Sequence, residues 1–194
     1  MKLVLCERND EVAVLQELCG AREIPGLTVE PYNGRNNLIN VLRELPKRPE
    51  YAQQQLESLA ILLDANGNPA GAWQRVSNGV QEHIGVTLPE RGSFAGDRPK
   101  IAGYIVAGPD GKGMLEDLCL LALNSVPGFD CLHNYFGCLA EKTDRKEYHT
   151  KAKFRAWMSA QSDYDLRLGL AAEKGYVPWS SSTFDVLAQF LARI

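Results

Sequence analysis

The chain has 194 residues, of which 45% are hydrophobic and 23% charged, and its formal net charge is −3 at pH 7. This composition is typical of one globular domain with a good hydrophobic core. The acidic balance argues against a protein coated with basic surface for nucleic acid, although a local basic patch can coexist with it. No apolar stretch reaches membrane-spanning length and no signal peptide is evident, so we expect a cytoplasmic protein without a membrane partner.

The cysteines are odd in number and include no Cys-x-x-Cys pair. This pattern favours small buried residues in a reducing compartment over a disulfide framework or a zinc site. The five positions are Cys6, Cys19, Cys119, Cys131 and Cys138.

The first half of the chain alternates short apolar runs with amphipathic stretches. Strands are predicted at 2–6, 27–30, 59–63 and 101–107, and helices at 12–19, 38–45 and 73–84. Asp10 is a candidate N-cap, and the Pro/Gly-rich residues 87–99 predict a loop, with a short strand near Ser93. The unbroken run 59–63 predicts a central strand buried on both faces. The series predicts an α/β fold with a mostly parallel sheet and right-handed crossovers.

The second half is predicted to be mainly helical, with Ser182 as the N-cap of the last helix. The predicted helices span 114–123, 129–142, 145–160, 166–174 and 184–193. We therefore expect an α/β core over residues 1–124 and a helical elaboration over 125–194 packed on it, in one compact domain overall.

Acidic residues recur where predicted strands end. Glu7 and Asp10 follow the first strand, Asp64 ends the central one, and Glu116 and Asp117 follow the last. The carboxyl ends of parallel strands share one edge of a sheet, which is where open α/β folds bind ligands. Oxygen ligands of this kind suit Mg²⁺ or Mn²⁺, so the sequence predicts a metal site at this edge.

A purely structural interpretation of each cluster stays open. Asp10, Glu116 and Asp117 lie in first turns of predicted helices, where a carboxylate caps N–H groups and complements the helix dipole. Residues 64–67, Asp-Ala-Asn-Gly, are also typical of a tight turn. Singly, each cluster is better explained by such roles, and only their expected convergence favours a site.

Basic residues gather between 142 and 155, and this excess of positive charge is suited to phosphate contacts. A solvated helix face explains the same pattern equally well. The glycine-rich residues 108–113 lack Walker A spacing, but their N–H groups are candidates for anion binding. The candidate phosphate-binding residues are Arg8, Lys112, Arg145, Lys146 and Arg155.

Four segments resemble a Toprim-related family of uncharacterised prokaryotic proteins, and the Toprim fold itself is shared by topoisomerases, bacterial primases and OLD-type nucleases. The segments are 5–11, 63–69, 113–117 and 151–157. The resemblance implies that Asp64 is the principal metal ligand and that Glu7 is a ligand or general acid/base. The resemblance further implies that Asp10 either ligates the metal or supports one of its ligands, that Glu116 is a late acidic ligand, and that Lys151 or Lys153 neutralises charge on the reacting phosphate.

Two positions depart from the Toprim pattern. Arg8 stands where a glycine usually follows the first glutamate, and Asn66 replaces the second acid of Asp-x-Asp. An asparagine carbonyl can ligate a hard cation but adds no negative charge. Both departures predict a weakened or lost metal site.

The resemblance implies Mg²⁺-dependent phosphodiester chemistry, above all hydrolysis of nucleic acid. A different class of function is a catalytically degenerate module that binds nucleic acid, a nucleotide or a companion protein, for example in phage defence. A third is phosphoryl transfer on a small nucleotide.

Overall fold

The computed structural model describes residues 1–108, 110–143, 149–162 and 167–194. In these residues one sheet has the order β2-β1-β3-β4, and each neighbouring pair of strands is parallel. Its strands are β1 (Lys2–Cys6), β2 (Leu27–Pro31), β3 (Ser58–Asp64) and β4 (Lys100–Val106). The chain adds β2 on one side of β1 and then β3 on the other, so the strand order reverses between β1 and β3. At such a reversal the loops diverge and leave a crevice.

Helices connect the strands and make up most of the second half of the described chain. They are α1 (Asn9–Ala21), α2 (Leu38–Glu44), α3 (Pro49–Ala52), α4 (Pro69–Ile84), α5 (Leu115–Leu123), α6 (Phe129–Lys142), α7 (Thr150–Ser159), α8 (Leu168–Glu173) and α9 (Asp185–Ala192). The predicted α/β class, with a parallel sheet flanked by helices and a mainly helical C-terminal part, is confirmed.

The sheet separates two hydrophobic clusters because successive strand side chains point to opposite faces. In β1, Val4 and Cys6 pack in the cluster that includes α1, α5 and α9. Leu3 and Leu5 pack in the other cluster, with α2 and α4. Residues 58–63 of β3 are buried and only its last residue, Asp64, is partly exposed, which confirms a strand buried on both faces.

The C-terminal helices pack directly on the α/β part. A Cβ added at Gly169 in α8 would lie 3.1 Å from the Cα of Asp10 in α1, so a larger residue here would push the two helices apart. The Arg22 guanidinium donates to the carbonyl of Trp179 at 2.9 Å and to the carboxylate of Asp185 at 2.8 Å. These contacts fix α1, and with it the loop after β1. The division at residue 124 stays a prediction.

Several local predictions are wrong. The N-cap of α1 is Arg8, so Asp10 lies inside the first turn. Ser181 caps the 3₁₀ turn before α9 in place of Ser182, because that turn precedes the helix. Near Ser93 the structure has only an isolated bridge, between Ala95 and Ile101.

The cysteine prediction holds for three of the five positions. Cys6, Cys19 and Cys119 are buried, whereas Cys131 and Cys138 are exposed on α6. Among the described residues, no helix is both long enough and apolar enough to cross a membrane.

Candidate functional site

A cavity of about 180 Å³ lies at the carboxyl ends of β1 and β3, where the strand order reverses. The loop after β1, the end of β3 and the helices α1, α5, α7 and α8 form its walls. Its lining is dominated by charged groups: Glu7, Arg8, Asp10, Glu11, Asp64, Glu116, Lys151, Arg155 and Arg167. We call it the acidic cavity.

Three carboxylates converge in the acidic cavity. Single oxygens of Glu7, Glu11 and Asp64 all lie within 4.8 Å of one another. The backbone N–H of Glu7 donates to Glu11 Oε2 at 2.6 Å, and that of Leu115 donates to Asp64 Oδ1 at 3.1 Å. Backbone groups of the loop after β1 and of α5 thus hold two of the three side chains in place, and we call the three the carboxylate cluster.

Burial and mutual repulsion both disfavour ionisation of the carboxylate cluster. Burial raises the pKa of the Asp64 carboxyl well above its usual range, and the carboxylates of Glu11, Glu116 and Glu7 raise it further. Burial likewise raises the pKa of Glu11 to about 7, with added repulsion from Glu7 and Glu116. Like charges brought together away from water resist ionisation. A cation bound among them would relieve this repulsion.

The donor set fits a hard divalent cation. Mg²⁺ and Mn²⁺ prefer carboxylate oxygens and commonly take one or two protein carboxylates together with water and phosphate oxygens. Glu7 follows β1, Glu11 lies in the first turn of α1 and Asp64 ends β3, and the pairing of β1 with β3 brings their oxygens together. These three residues are therefore the ones suited to hold the ion.

Positive side chains border the same cavity. Arg8 lies 3.4 Å from the carboxylate of Glu7, and its own side chain is 60% exposed. Lys151 Nζ lies 3.4 Å from Glu116 Oε1. Because Lys151 and Arg155 are four residues apart on α7, they project from the same side of that helix. The cavity thus combines a carboxylate cluster with cations able to contact phosphate.

The structure gives Asn66 a backbone reason for being an asparagine. Its φ is +49°, in the left-handed region that asparagine and aspartate tolerate better than most residues. Its N–H donates to the carbonyl of Gly113 at 2.6 Å, and its own carbonyl accepts from Gly113 at 2.7 Å. This bridge ties the loop after β3 to the loop after β4 and leaves Asn66 at the edge of the acidic cavity.

Two other predicted carboxylates have structural partners. Asp10 lines the acidic cavity, and its Oδ1 accepts from the N–H of Gly169 at 3.3 Å. Asp117 Oδ2 accepts from the N–H of Met114 at 2.8 Å, and its other oxygen accepts from the Thr150 hydroxyl. Asp117 thereby caps α5 and anchors α7 to it, outside the carboxylate cluster.

A second cavity of about 690 Å³ lies between α5, α6 and α7, next to the glycine-rich loop. Most of its wall is apolar, and we call it the apolar cavity. Lys112 and Lys153 line it, rather than the acidic cavity, and Asn66 lines both. Arg145 and Lys146 lie outside the described residues.

The glycine-rich loop does not offer its N–H groups to an anion. Gly108 donates to the carbonyl of Lys112 at 2.6 Å, and Gly111 donates to Gly108 at 2.9 Å. The N–H of Lys112 donates to the side chain of Asp110 at 3.0 Å. The expectation of an anion-binding loop is wrong because the loop satisfies these donors itself.

Sequence reasoning missed Glu11, which belongs to the cluster although no role was assigned to it. A usable signal existed, since Glu11 lies in the first turn of a helix that begins just after Glu7, and a glutamate there can reach back to the backbone before the helix. Arg167 was also missed, and no local pattern marks it. It reaches the cavity only because α8 packs on α1.

Fold and site together define an open α/β protein with a carboxylate cluster at the reversal of its strand order. The chain belongs to the family described as "Protein of unknown function (DUF3226)", whose family model matches residues 1–194. No curated protein and no solved structure matches it.

Proposed function

We propose that this protein carries out Mg²⁺- or Mn²⁺-dependent phosphodiester chemistry, with hydrolysis of nucleic acid as its reaction. The observation that carries the proposal is the carboxylate cluster, with oxygens of Glu7, Glu11 and Asp64 within 4.8 Å of one another at the strand-order reversal. The resemblance of the surrounding segments to Toprim nucleases supports the same chemistry, as an analogy.

The chain's own residues have distinct tasks in this proposal. Glu7, Glu11 and Asp64 hold the divalent cation, which supplies positive charge to phosphate oxygens and activates water. Lys151 and Arg155 face the same cavity and stabilise the negative charge that develops on the phosphate. The Lys151–Glu116 ion pair, at 3.4 Å, keeps the ammonium at the cavity before substrate arrives.

Calorimetric titration of Mg²⁺ and Mn²⁺ tests the proposal. We expect the wild type to bind at least one ion, and Glu7→Gln and Asp64→Asn to lose that binding. Glu17→Gln is the matched control, because it makes the same change in α1 away from the acidic cavity. Absence of binding to the wild type at millimolar ion, or an equal loss in the control, would overturn the metal site.

Activity is then measured on single- and double-stranded DNA and RNA. We expect cleavage that needs the divalent cation and disappears in Glu7→Gln. A wild type that binds the ion but cleaves none of these polymers would exclude nucleic-acid hydrolysis.

A degenerate binding module is the second candidate, and the ion pairs favour it. Arg8 with Glu7 and Lys151 with Glu116 already neutralise part of the acidic cavity without a metal. Asn66 also removes one charge that a Toprim metal site has. In this case the protein would bind nucleic acid or a nucleotide without any divalent cation, and Arg155→Gln would weaken that binding. A companion protein and a cytoplasmic location stay predictions from the sequence.

A further inference from the structure

The apolar cavity adjoins the proposed site of phosphate chemistry. Asn66 lines both cavities, and α7 separates them, with Lys151 and Arg155 on one side and Thr150 and Lys153 on the other. Its volume of about 690 Å³ is in the range of pockets that hold small organic ligands. A ligand with its phosphate at the carboxylate cluster would therefore reach the apolar cavity past Asn66, the residue that both cavities share.

The lining of the apolar cavity suits an aromatic group with polar edges. Phe129, Leu132 and Phe136 provide apolar wall from α6. The ring of Phe129 packs edge-on against His133 at 5.3 Å and against Trp157 at 5.1 Å, which fixes its orientation. Phe129 and Phe136 are only 2% and 9% exposed, so a nucleobase would contact the small exposed parts of these rings together with Leu132, and any of the bases can make such contacts.

Polar groups in the wall can serve a base edge and its phosphate. The side chains of Asn124 and His133 line the cavity and lie 3.1 Å apart. Lys153 and Lys112 add positive charge, whereas the carboxylate of Asp117 is already occupied by Met114 and Thr150. The cavity thus differs sharply from the acidic cavity beside it.

We propose that the apolar cavity binds an unpaired nucleobase, so that the substrate is a nucleotide or a single-stranded region of nucleic acid. This inference rests on the proposed function, because it places the adjoining phosphate at the carboxylate cluster. A base inside a duplex is paired and stacked and would have to leave the helix to enter a pocket. Duplex interiors are therefore poor ligands for this site.

The four common ribonucleoside 5′-monophosphates are the probes, with ribose 5-phosphate as the probe that lacks a base. Binding is measured by calorimetry with and without Mg²⁺. Gly137→Phe places a large side chain at the cavity wall without a clash, because nothing lies within 4 Å of a Cβ added at this lining glycine of α6. Gly20→Phe is the matched control, at an equally open glycine of α1 outside the cavity.

We expect at least one nucleotide to bind about ten-fold or more tightly than ribose 5-phosphate, from base stacking. Gly137→Phe should reduce its affinity to that of ribose 5-phosphate, and Gly20→Phe should leave it unchanged. Equal affinity for all five probes, no binding of any nucleotide at millimolar concentration, or full affinity in Gly137→Phe would overturn the inference.

The source of the base is resolved with a short single-stranded oligonucleotide and a blunt hairpin duplex. The single strand should bind more tightly than the duplex, and this difference in affinity should disappear in Gly137→Phe. If mononucleotides bind but neither oligonucleotide does, the substrate is a small nucleotide. Equal binding of the duplex, unaffected by Gly137→Phe, would overturn the inference.

The metal titration separates this inference from the proposed function. Nucleotide binding that needs the apolar cavity, in a protein that binds neither Mg²⁺ nor Mn²⁺ in the titration, would overturn the metal proposal alone. Metal binding together with equal affinity for nucleotides and ribose 5-phosphate would overturn the nucleobase site alone.

Discussion

The acidic cavity and the apolar cavity adjoin each other but differ in volume and in the side chains that line them. The acidic cavity is small, about 180 Å³, and lined mostly by charged groups, whereas the apolar cavity is about 690 Å³ and combines leucine and phenylalanine side chains with glycines and polar groups. Yet α7 supplies Lys151 to the first and Lys153 to the second. Two positions apart on a helix is about 200° of rotation, so one turn of helix supplies both environments. Two lysines that are close in sequence can therefore have unrelated roles.

Replacing these two lysines tests that contrast with the largest expected effect. Lys151→Met should lower kcat about 100- to 1,000-fold, as loss of one group that stabilises transition-state charge commonly does. Lys153→Met should mainly raise KM, because it borders the cavity that we assign to substrate binding. Both variants are compared by steady-state cleavage kinetics, and equal kinetic effects of the two would remove the distinction.

Asp64→Asn tests whether the acidic cavity alone responds to metal. Mg²⁺ should raise the stability of the wild type by about 4 kcal/mol at a thousand-fold excess over Kd, and should not stabilise the variant. Without metal, the variant should unfold at a higher temperature than the wild type, because it lacks a buried charge among carboxylates. Thermal unfolding in chelator and in Mg²⁺ measures both effects.

The matched variant for this test is Gly137→Phe in the apolar cavity. It should keep the full gain from Mg²⁺, because it does not contact the carboxylate cluster. If it lost that gain, the two cavities would not be independent.

The raised pKa of Glu11 predicts that the stability of the metal-free protein depends on pH. Burial raises the pKa of Glu11 from its ordinary value of 4.5 to about 7, so between these pH values the folded state binds more protons than the unfolded chain. Its contribution to stability therefore falls as pH rises from 4.5 to 7, by on the order of 3 kcal/mol at most. Denaturant unfolding in chelator should show this decline.

Glu11→Gln supplies the control for the pH dependence, because glutamine does not titrate. Its stability should decline less than that of the wild type over the same pH range. An identical pH profile in both proteins would mean that Glu11 is not the group responsible.

The smallest expected effect is a gain in affinity for Mg²⁺. Asn66→Asp adds a carboxylate at the edge of the acidic cavity, and aspartate also tolerates the left-handed φ of +49°. We expect Mg²⁺ affinity to rise by roughly ten-fold or less, since added ligand charge strengthens binding. Unchanged affinity by calorimetry would place position 66 outside the metal site.

The fold was largely predictable because its signals are local. The apolar run 59–63 with Asp64 at its end predicts a central strand. The hydrophobic periodicity of residues 129–142 predicts α6 with both of its ends correct. Parallel strands then place Glu7, Asp64 and Glu116 around one cavity from chain order alone.

The rest depended on packing between distant segments. Asp10 and Glu11 are neighbours with equal charge, yet Asp10 accepts from Gly169 in α8 while Glu11 accepts from Glu7. Nothing in their sequence context distinguishes them before α8 is placed on α1. The apolar cavity could not be predicted from the sequence for the same reason, because its wall is formed by α5, α6 and α7 together.

The attachment of α1 to the C-terminal segments also bears on how the protein folds during synthesis. Arg22 and Asp185 are 163 positions apart and Asp10 and Gly169 are 159 apart, so these contacts must await the synthesis of α8 and α9. The N-terminal strands can pair earlier, but the side of α1 that α8 covers remains open while the ribosome is still adding residues. Such long-range contacts slow folding. Chaperones that shield apolar surface should therefore raise the yield of native protein more than they raise its final stability.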